Sequence, residues 1–203
     1  MADLTLEKHA GDLVAGIDEV GRGPWAGPVV AAAVIIDPRK LSLEFAGKID
    51  DSKKLSKSRR EHIANHLKLF AKIGIGASGT KEIEKLNILQ ATLKAMQRAI
   101  TALPIEPDFA LVDGNQIPSL PCAAKSIIKG DSISLSIAAA SIVAKVTRDR
   151  IMTKLSMRYP DYGWERNSGY GTSQHSKGLE KFGVTPHHRK KFAPIIKILS
   201  QNQ

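Results

Sequence analysis

The sequence predicts an α/β fold: a mixed five-stranded sheet flanked by helices, with a C-terminal helical appendage. Three observations carry that expectation. Two apolar runs near the N-terminus are joined by a short segment rich in Gly and Pro, as in an antiparallel pair. Beyond them, helical periodicity alternates with short apolar segments, an order that adds parallel strands to the same sheet. After Tyr159-Pro160 the composition changes to Gly, aromatic, His and Lys residues, which reads as an appendage rather than more sheet.

The first strand is expected over residues 13–18 and the second over 29–36, ended by Asp37-Pro38. A third covers 71–77, with glycines at alternate positions near its end. Ser58 with Glu61 three residues later has the form of a capping box, and Ile63, Leu67 and Phe70 then share one helix face. Asn87 with Gln90 opens another helix, in which Leu89, Leu93, Met96, Ile100 and Leu103 recur every three or four residues until Pro104 and Pro107 stop it. Residues 109–112 form a buried strand ending at Asp113-Gly114, and 126–129 another ending at Gly130-Asp131. A long helix then runs over about 132–157, its Ala138-Ala139-Ala140-Ser141 patch small enough to lie close against a sheet. Residues 1–161 are expected to form the core, with 162–203 packed on it in one structural domain.

With 203 residues, 42% of them hydrophobic, the chain is long enough to bury a real core. Its formal charge of +10 favours a polyanionic partner, because basic groups that neutralise phosphates release condensed counterions. Charge alone leaves nucleic acid, an anionic membrane and plain solubility open. Cys122 is the only cysteine, which excludes an intrachain disulfide and a Cys-based zinc cluster and suits a reducing cytoplasm. The N-terminus has early acidic residues and lacks the apolar centre of a signal peptide, and the run 29–36 is too short to cross a bilayer. A soluble, cytoplasmic monomer with no membrane association is expected.

The candidate chemistry starts with the acids. Asp18 and Glu19 end the first strand, Asp113 ends a later one, and Asp131 follows another just before the long helix. Functional sites in sheets of this type gather at the carboxyl ends of parallel strands, so three distant segments deliver four carboxylates to one edge. Clustered carboxylates repel unless a cation compensates, and hard oxygen donors suit Mg2+ or Mn2+. Two such ions can stabilise the attacking and leaving oxygens of a phosphodiester displacement. No zinc motif, Gly-x-Ser-x-Gly elbow or P-loop competes with this reading. Taken singly, each acid fits a turn or a helix cap equally well.

Gly21-Arg22-Gly23-Pro24-Trp25-Ala26-Gly27 begins like a dinucleotide fingerprint, but Pro24 and Pro28 interrupt it and a strand follows where a helix is required. What remains is bare backbone beside Asp18-Glu19, able to approach a sugar-phosphate chain where the 2′-hydroxyl separates RNA from DNA. A turn that merely needs glycine explains the same residues.

At this point the residues resemble a known family, ribonuclease HII. The likeness runs in order through Ile17-Asp18-Glu19-Val20-Gly21-Arg22-Gly23-Pro24, Asp51-Ser52-Lys53-Lys54-Leu55-Ser56, Val112-Asp113-Gly114-Asn115 and Lys129-Gly130-Asp131. It continues through the helix segment Ser136 to Asp149, Gly169-Tyr170-Gly171-Thr172 with His175, and Thr185-Pro186-His187-His188-Arg189. The Lys48-Ile49-Asp50 lead-in is a local departure from the family pattern. The resemblance implies a ribonuclease H-like fold and a metal-dependent endonuclease that cuts the RNA strand of RNA–DNA hybrids. It implies cleavage 5′ of single ribonucleotides embedded in duplex DNA, leaving 3′-hydroxyl and 5′-phosphate ends. Asp18, Glu19, Asp113 and Asp131 take the positions of the catalytic metal ligands, for two Mg2+ or Mn2+ ions with substrate bound. Gly21, Arg22 and Gly23 take those that read the 2′-hydroxyl, and Tyr170 that of a ring packed on the sugar after the cut. Ser52 and Lys53, with Lys54 beside them, match substrate-backbone contacts. The short stretch before the first strand and the aspartate at 131 favour this family over its sister, ribonuclease HIII.

Among the remaining residues, Arg148 and Asp149 are expected to tie the tail to the core through an ion pair. His175, His187 and His188 read as structural or phosphate-facing, because hard Mg2+ prefers oxygen. Trp25, Tyr162 and Trp164 read as packing residues, and the basic run 187–191 either skirts the duplex or serves solubility. A non-catalytic duplex-binding module would keep the basic face without converging acids. A strand-transferring recombinase would carry site-specific DNA-binding segments, and none is visible.

Overall fold

The computed structural model describes residues 2–50 and 52–201. In chain order the elements are α1 (Thr5–Ala10), β1 (Val14–Val20), β2 (Val29–Ile36), α2 (Leu43–Ala46), α3 (Lys57–Leu67), β3 (Ala71–Ser78) and α4 (Thr80–Thr101). These are followed by β4 (Phe109–Asp113), β5 (Ala123–Ile127), α5 (Leu135–Arg158), α6 (Trp164–Asn167), α7 (Ser173–Phe182) and α8 (Ala193–Gln201). The strands form one sheet in the order β3-β2-β1-β4-β5. β1, β2 and β3 pair antiparallel, while β4 runs parallel to β1 and β5 parallel to β4. The expected mixed α/β sheet is therefore present.

Strand pleating decides which residues meet which helix, since successive side chains leave opposite faces. Ala32, Val34 and Ile36 of β2 join Ala138, Ala139 and Ile142 of α5 in one core layer. Ala31 and Ala33, with Ala15 and Ile17 of β1, join Ala91 and Ala95 of α4 in the other. Both faces of β2 are covered, which is why all eight of its residues are buried and its sequence does not alternate. The glycines of β3 have the same cause. A Cβ at Gly76 would fall 2.1 Å from the Ala95 carbonyl oxygen, and one at Gly74 as close to that of Ala99, so α4 lies directly on bare backbone.

Several boundaries differ from the sequence expectation. The α3 cap is Ser56, whose hydroxyl accepts from Arg59 N–H, because Arg60 folds back onto the Ser52 and Leu55 carbonyls and starts the helix earlier. Asn87 does cap, accepting from Gln90 N–H with φ 69, yet a helical turn already precedes it, so α4 is kinked there. β5 occupies 123–127 rather than 126–129: its last partner is Asp113, opposite Ile127, and Lys129 turns left-handed at φ 56. Helices α1 and α2, of six and four residues, are too short for periodicity to show.

Buried Glu7 in α1 earns its place at the start of α5. One carboxylate oxygen accepts from Ser134 Oγ–H at 2.6 Å, Ser136 N–H at 2.9 Å and Ser136 Oγ–H at 2.6 Å. A carboxylate there satisfies donors that a helix start leaves free and complements its dipole. Beyond α5, Tyr162, Trp164, Leu179 and Ile195 close a further apolar cluster with Met152 of α5 and Ala26 of the β1–β2 connection.

Candidate active site

β1 and β4 end side by side. Their register pairs Ile17 with Val112, so the next residues along are Asp18 and Asp113. Ala15 and Ile17 face α4, and Asp18 therefore points to the α5 side. It is 5% exposed. One of its oxygens accepts from Glu19 N–H at 2.6 Å, and the Ser141 hydroxyl of α5 bonds it as well. Burial pushes the Asp18 carboxyl well above the usual carboxylate range, and the charges of Glu19 and Asp113 push it further. Burial also raises Glu19; Arg22, 3.5 Å away, opposes that and Asp113 adds to it.

Asp113 Oδ1 accepts from Gly130 N–H at 2.7 Å, which clamps the β5–α5 turn against the end of β4. Asp131 follows in that turn, directly before α5. The four acids expected from the sequence thus lie on three neighbouring segments at one sheet edge. Among the described residues, no group of three or more His, Cys, Asp or Glu side chains is placed so as to hold a metal ion. The donor set nonetheless fits a hard divalent cation: the oxygens are carboxylates, and the innermost is buried against like charge.

The Gly21-Arg22-Gly23 connection leaves β1 beside these acids. Its shape is set from within. Arg189, fully buried, donates to the carbonyls of Gly21, of Arg22 (2.7 Å) and of Gly27 (3.0 Å). Arg148, also fully buried, donates to Pro28 O (2.9 Å), Ala26 O (3.0 Å) and Ser168 O (2.8 Å). Across a trans peptide the carbonyl and the next N–H point opposite ways, and no bond here is cis. Carbonyls of Gly21 and Arg22 held inward therefore turn the Arg22 and Gly23 amides outward, where both residues are exposed. Gly21 has to be glycine: its φ is +95, and a Cβ would fall 2.1 Å from Arg148 Nε. A Cβ at Gly23 would lie 3.6 Å from Tyr170 Cε1, so the half-exposed Tyr170 ring rests over this loop.

The family model described as Ribonuclease HII matches residues 15–195.

The chain belongs to the ribonuclease HII family.

A curated ribonuclease HII from Paramagnetospirillum magneticum is 54% identical over 199 residues, covering 98% of this chain and 99% of that one. The crystal structure of the ribonuclease H2 from Pyrococcus horikoshii superposes with TM-score 0.77 at 27% identity, covering 94% of this chain and 98% of that one. The structure of Bst-RNase HIII in complex with Mn2+ shares the fold at TM-score 0.77 and 19% identity, covering 98% and 73%. As a ribonuclease HII the chain is a metal-dependent endonuclease that degrades RNA in RNA–DNA hybrids. No described helix is long and apolar enough to cross a membrane.

The other residues singled out in the sequence fall as follows. Ser52 is buried, its hydroxyl 2.9 Å from that of Ser141, which in turn bonds Asp18. Lys53 is exposed, and Lys54 pairs with Asp50 at 3.2 Å. Asp51, at the head of that motif, lies outside the described residues. Arg148 and Asp149 do tie the tail to the core, but through Ser168 rather than an ion pair with each other. Arg148 takes its carbonyl and Asp149 accepts from its hydroxyl at 2.8 Å. The basic run 187–191 is not a uniform solvent face, because His188 and Arg189 are fully buried. Tyr162 and Trp164 are core residues, in keeping with the packing role expected of them. Sequence reasoning missed Arg189 as a support of the glycine loop, since an arginine between His and Lys reads as surface.

Proposed function

We propose that this ribonuclease HII hydrolyses the RNA strand of hybrids and also cuts 5′ of single ribonucleotides embedded in duplex DNA. The products carry 3′-hydroxyl and 5′-phosphate ends. Asp18 and Asp113 are the central ligands of two divalent ions, Mg2+ or Mn2+, with Glu19 and Asp131 completing the site. Such ions, when bound, supply an activated water and stabilise charge on the attacking and leaving oxygens. The observation that carries this reading is the junction of Asp18, Glu19 and Asp113 with two outward amides and the Tyr170 ring.

Each part then has a role. The buried Asp18 would be held as its anion by a bound cation rather than neutralised by a proton, with oxygens of the scissile phosphate available as further ligands. The Arg22 and Gly23 amides bind the 2′-hydroxyl of the last ribonucleotide. Tyr170 packs on the next sugar, where a 2′-hydroxyl would crowd it, so a deoxyribose is preferred. Lys53 draws in the phosphate backbone, and Ser52 holds that loop through Ser141. The tail beyond residue 161 works with the core as one unit, because it carries Tyr170 and Arg189, and the unit acts as a monomer.

The test is a cleavage map on duplexes carrying one, four or many ribonucleotides, with Mg2+, with Mn2+ and with chelator. Cuts 5′ of the last ribonucleotide, in either metal and never with chelator, are expected. Cuts on its 3′ side, or none in the single-ribonucleotide duplex, would contradict the reading.

A further inference from the structure

Behind Tyr170 lies a pair of histidines that the nuclease chemistry leaves unused. His175 and His188 are both fully buried, their Nε2 atoms 3.0 Å apart. The surrounding donors assign every proton. Thr185 N–H, which can only donate, points at His188 Nδ1 at 2.9 Å, so that nitrogen is bare and His188 carries its proton on Nε2. This Nε2–H faces His175 Nε2. Trp164 Nε1–H, again only a donor, meets the same atom at 3.2 Å. His175 therefore has a bare Nε2 accepting twice, and its proton sits on Nδ1. From there it donates to the Tyr170 carbonyl at 2.9 Å. The bonds run one way, from Thr185 through His188 and His175 to Tyr170. An added proton at either bare nitrogen would meet a donor head-on.

We infer that His175 and His188 are positioning residues that fix the Tyr170 backbone, and through it the ring over Gly23, so that the pair governs the preference for a deoxyribose after the cut. This rests on the proposed sugar contact of Tyr170. The bond works beside others that hold the same segment: Tyr170 N–H donates to the Asn167 carbonyl at 2.9 Å, Thr172 N–H to the Tyr170 carbonyl at 2.9 Å and Trp25 N–H to the Gly169 carbonyl at 2.8 Å, while Gly171 is pressed on the Trp25 ring. Of these, the His175 bond is the one that reaches the Tyr170 carbonyl from a buried side chain. Burial lowers the pKa of both histidines, so both rings are neutral where the enzyme works and the relay stays intact.

The experiment measures kcat/KM on two duplexes, one with a single ribonucleotide in DNA and one with an all-RNA strand, and takes their ratio. It compares wild type with Tyr170→Ala, His175→Leu, His175→Asn and His188→Asn, each checked for a cooperative urea transition. Tyr170→Ala is expected to lower the ratio roughly tenfold or more, and His175→Leu at least about threefold, since a small misplacement of a substrate-facing group is costly. His175→Asn, which keeps an N–H where Nδ1–H stood, returns the ratio toward the wild-type value. If His175→Leu does not fold, His188→Asn, which removes the Nε2–H but keeps an acceptor for Thr185, is expected to lower the ratio in its place. A folded His175→Leu with the wild-type ratio, or a His175→Asn no better than His175→Leu, overturns the inference while leaving Tyr170 its role. A wild-type ratio in Tyr170→Ala overturns the sugar contact itself, and the positioning role falls with it.

Discussion

Arg189 shows how a single buried side chain can set the shape of an exposed loop from behind it. Its planar fork matches three carbonyls at once, which an ammonium on a flexible stem does not. Burial pushes its pKa down to about 9, so it remains charged at neutral pH. Arg189→Met is expected to leave those carbonyls unpaired and cost on the order of 3 kcal/mol of stability, with activity falling roughly a hundredfold as the amides lose their aim. Arg189→Lys recovers little of either. Urea unfolding beside single-turnover cleavage checks this, and wild-type activity in Arg189→Met would refute it. His188 yields a pH prediction. Burial first, then His175, lowers its pKa to about 3, against about 6.5 in the unfolded chain. The unfolded state takes the proton first. The contribution of His188 is thus complete above about pH 6.5 and is lost as the pH falls toward 3. Between pH 7 and 4.5 wild type should lose more unfolding free energy than His188→Asn; equal losses would show the ring is not held neutral. The acids at strand ends were legible in the sequence because a carboxylate beside a turn is visible there. The buried arginines and histidines were not, because only distant carbonyls and ring partners decide that a basic side chain goes inward.

At the scale of elements, the sheet and the long helices were legible because their periods persist over many residues. Boundaries were less so. Ser56 and Ser58 both precede a helix with cap chemistry, and the choice fell to Arg60, whose reach to the Ser52 and Leu55 carbonyls is a contact local patterns do not encode. The kink in α4 is bridged by Arg98, beyond Asn87, which donates to both oxygens of Glu82, before it, each at 2.7 Å. The α1–α5 junction is the element most open to test. Glu7 accepts three bonds at the start of α5, just after Asp131. Glu7→Ala is expected to destabilise the fold by about 1–3 kcal/mol, the cost of leaving buried donors unsatisfied. An unchanged urea midpoint would mean α5 needs no such cap.

At the scale of the whole molecule, the site is made where the ends of the chain's separate parts converge. β1 and β4 bring Asp18 and Asp113 together, and the β5–α5 turn is clamped to Asp113 by Gly130. The tail returns to hold the glycine loop and lay Tyr170 over it. The net charge of +10 favours a phosphate backbone as partner, while the proposed catalytic edge gathers the buried carboxyl of Asp18 with the half-buried ones of Glu19, Asp113 and Asp131. Binding and cutting are therefore separable. The most direct measurement pairs single-turnover cleavage of a one-ribonucleotide duplex in Mg2+ with its Kd, for wild type and Asp18→Asn. Cleavage is expected to fall by roughly a thousandfold or more while Kd stays within about threefold. Cutting by the pure variant near the wild-type rate would contradict the account.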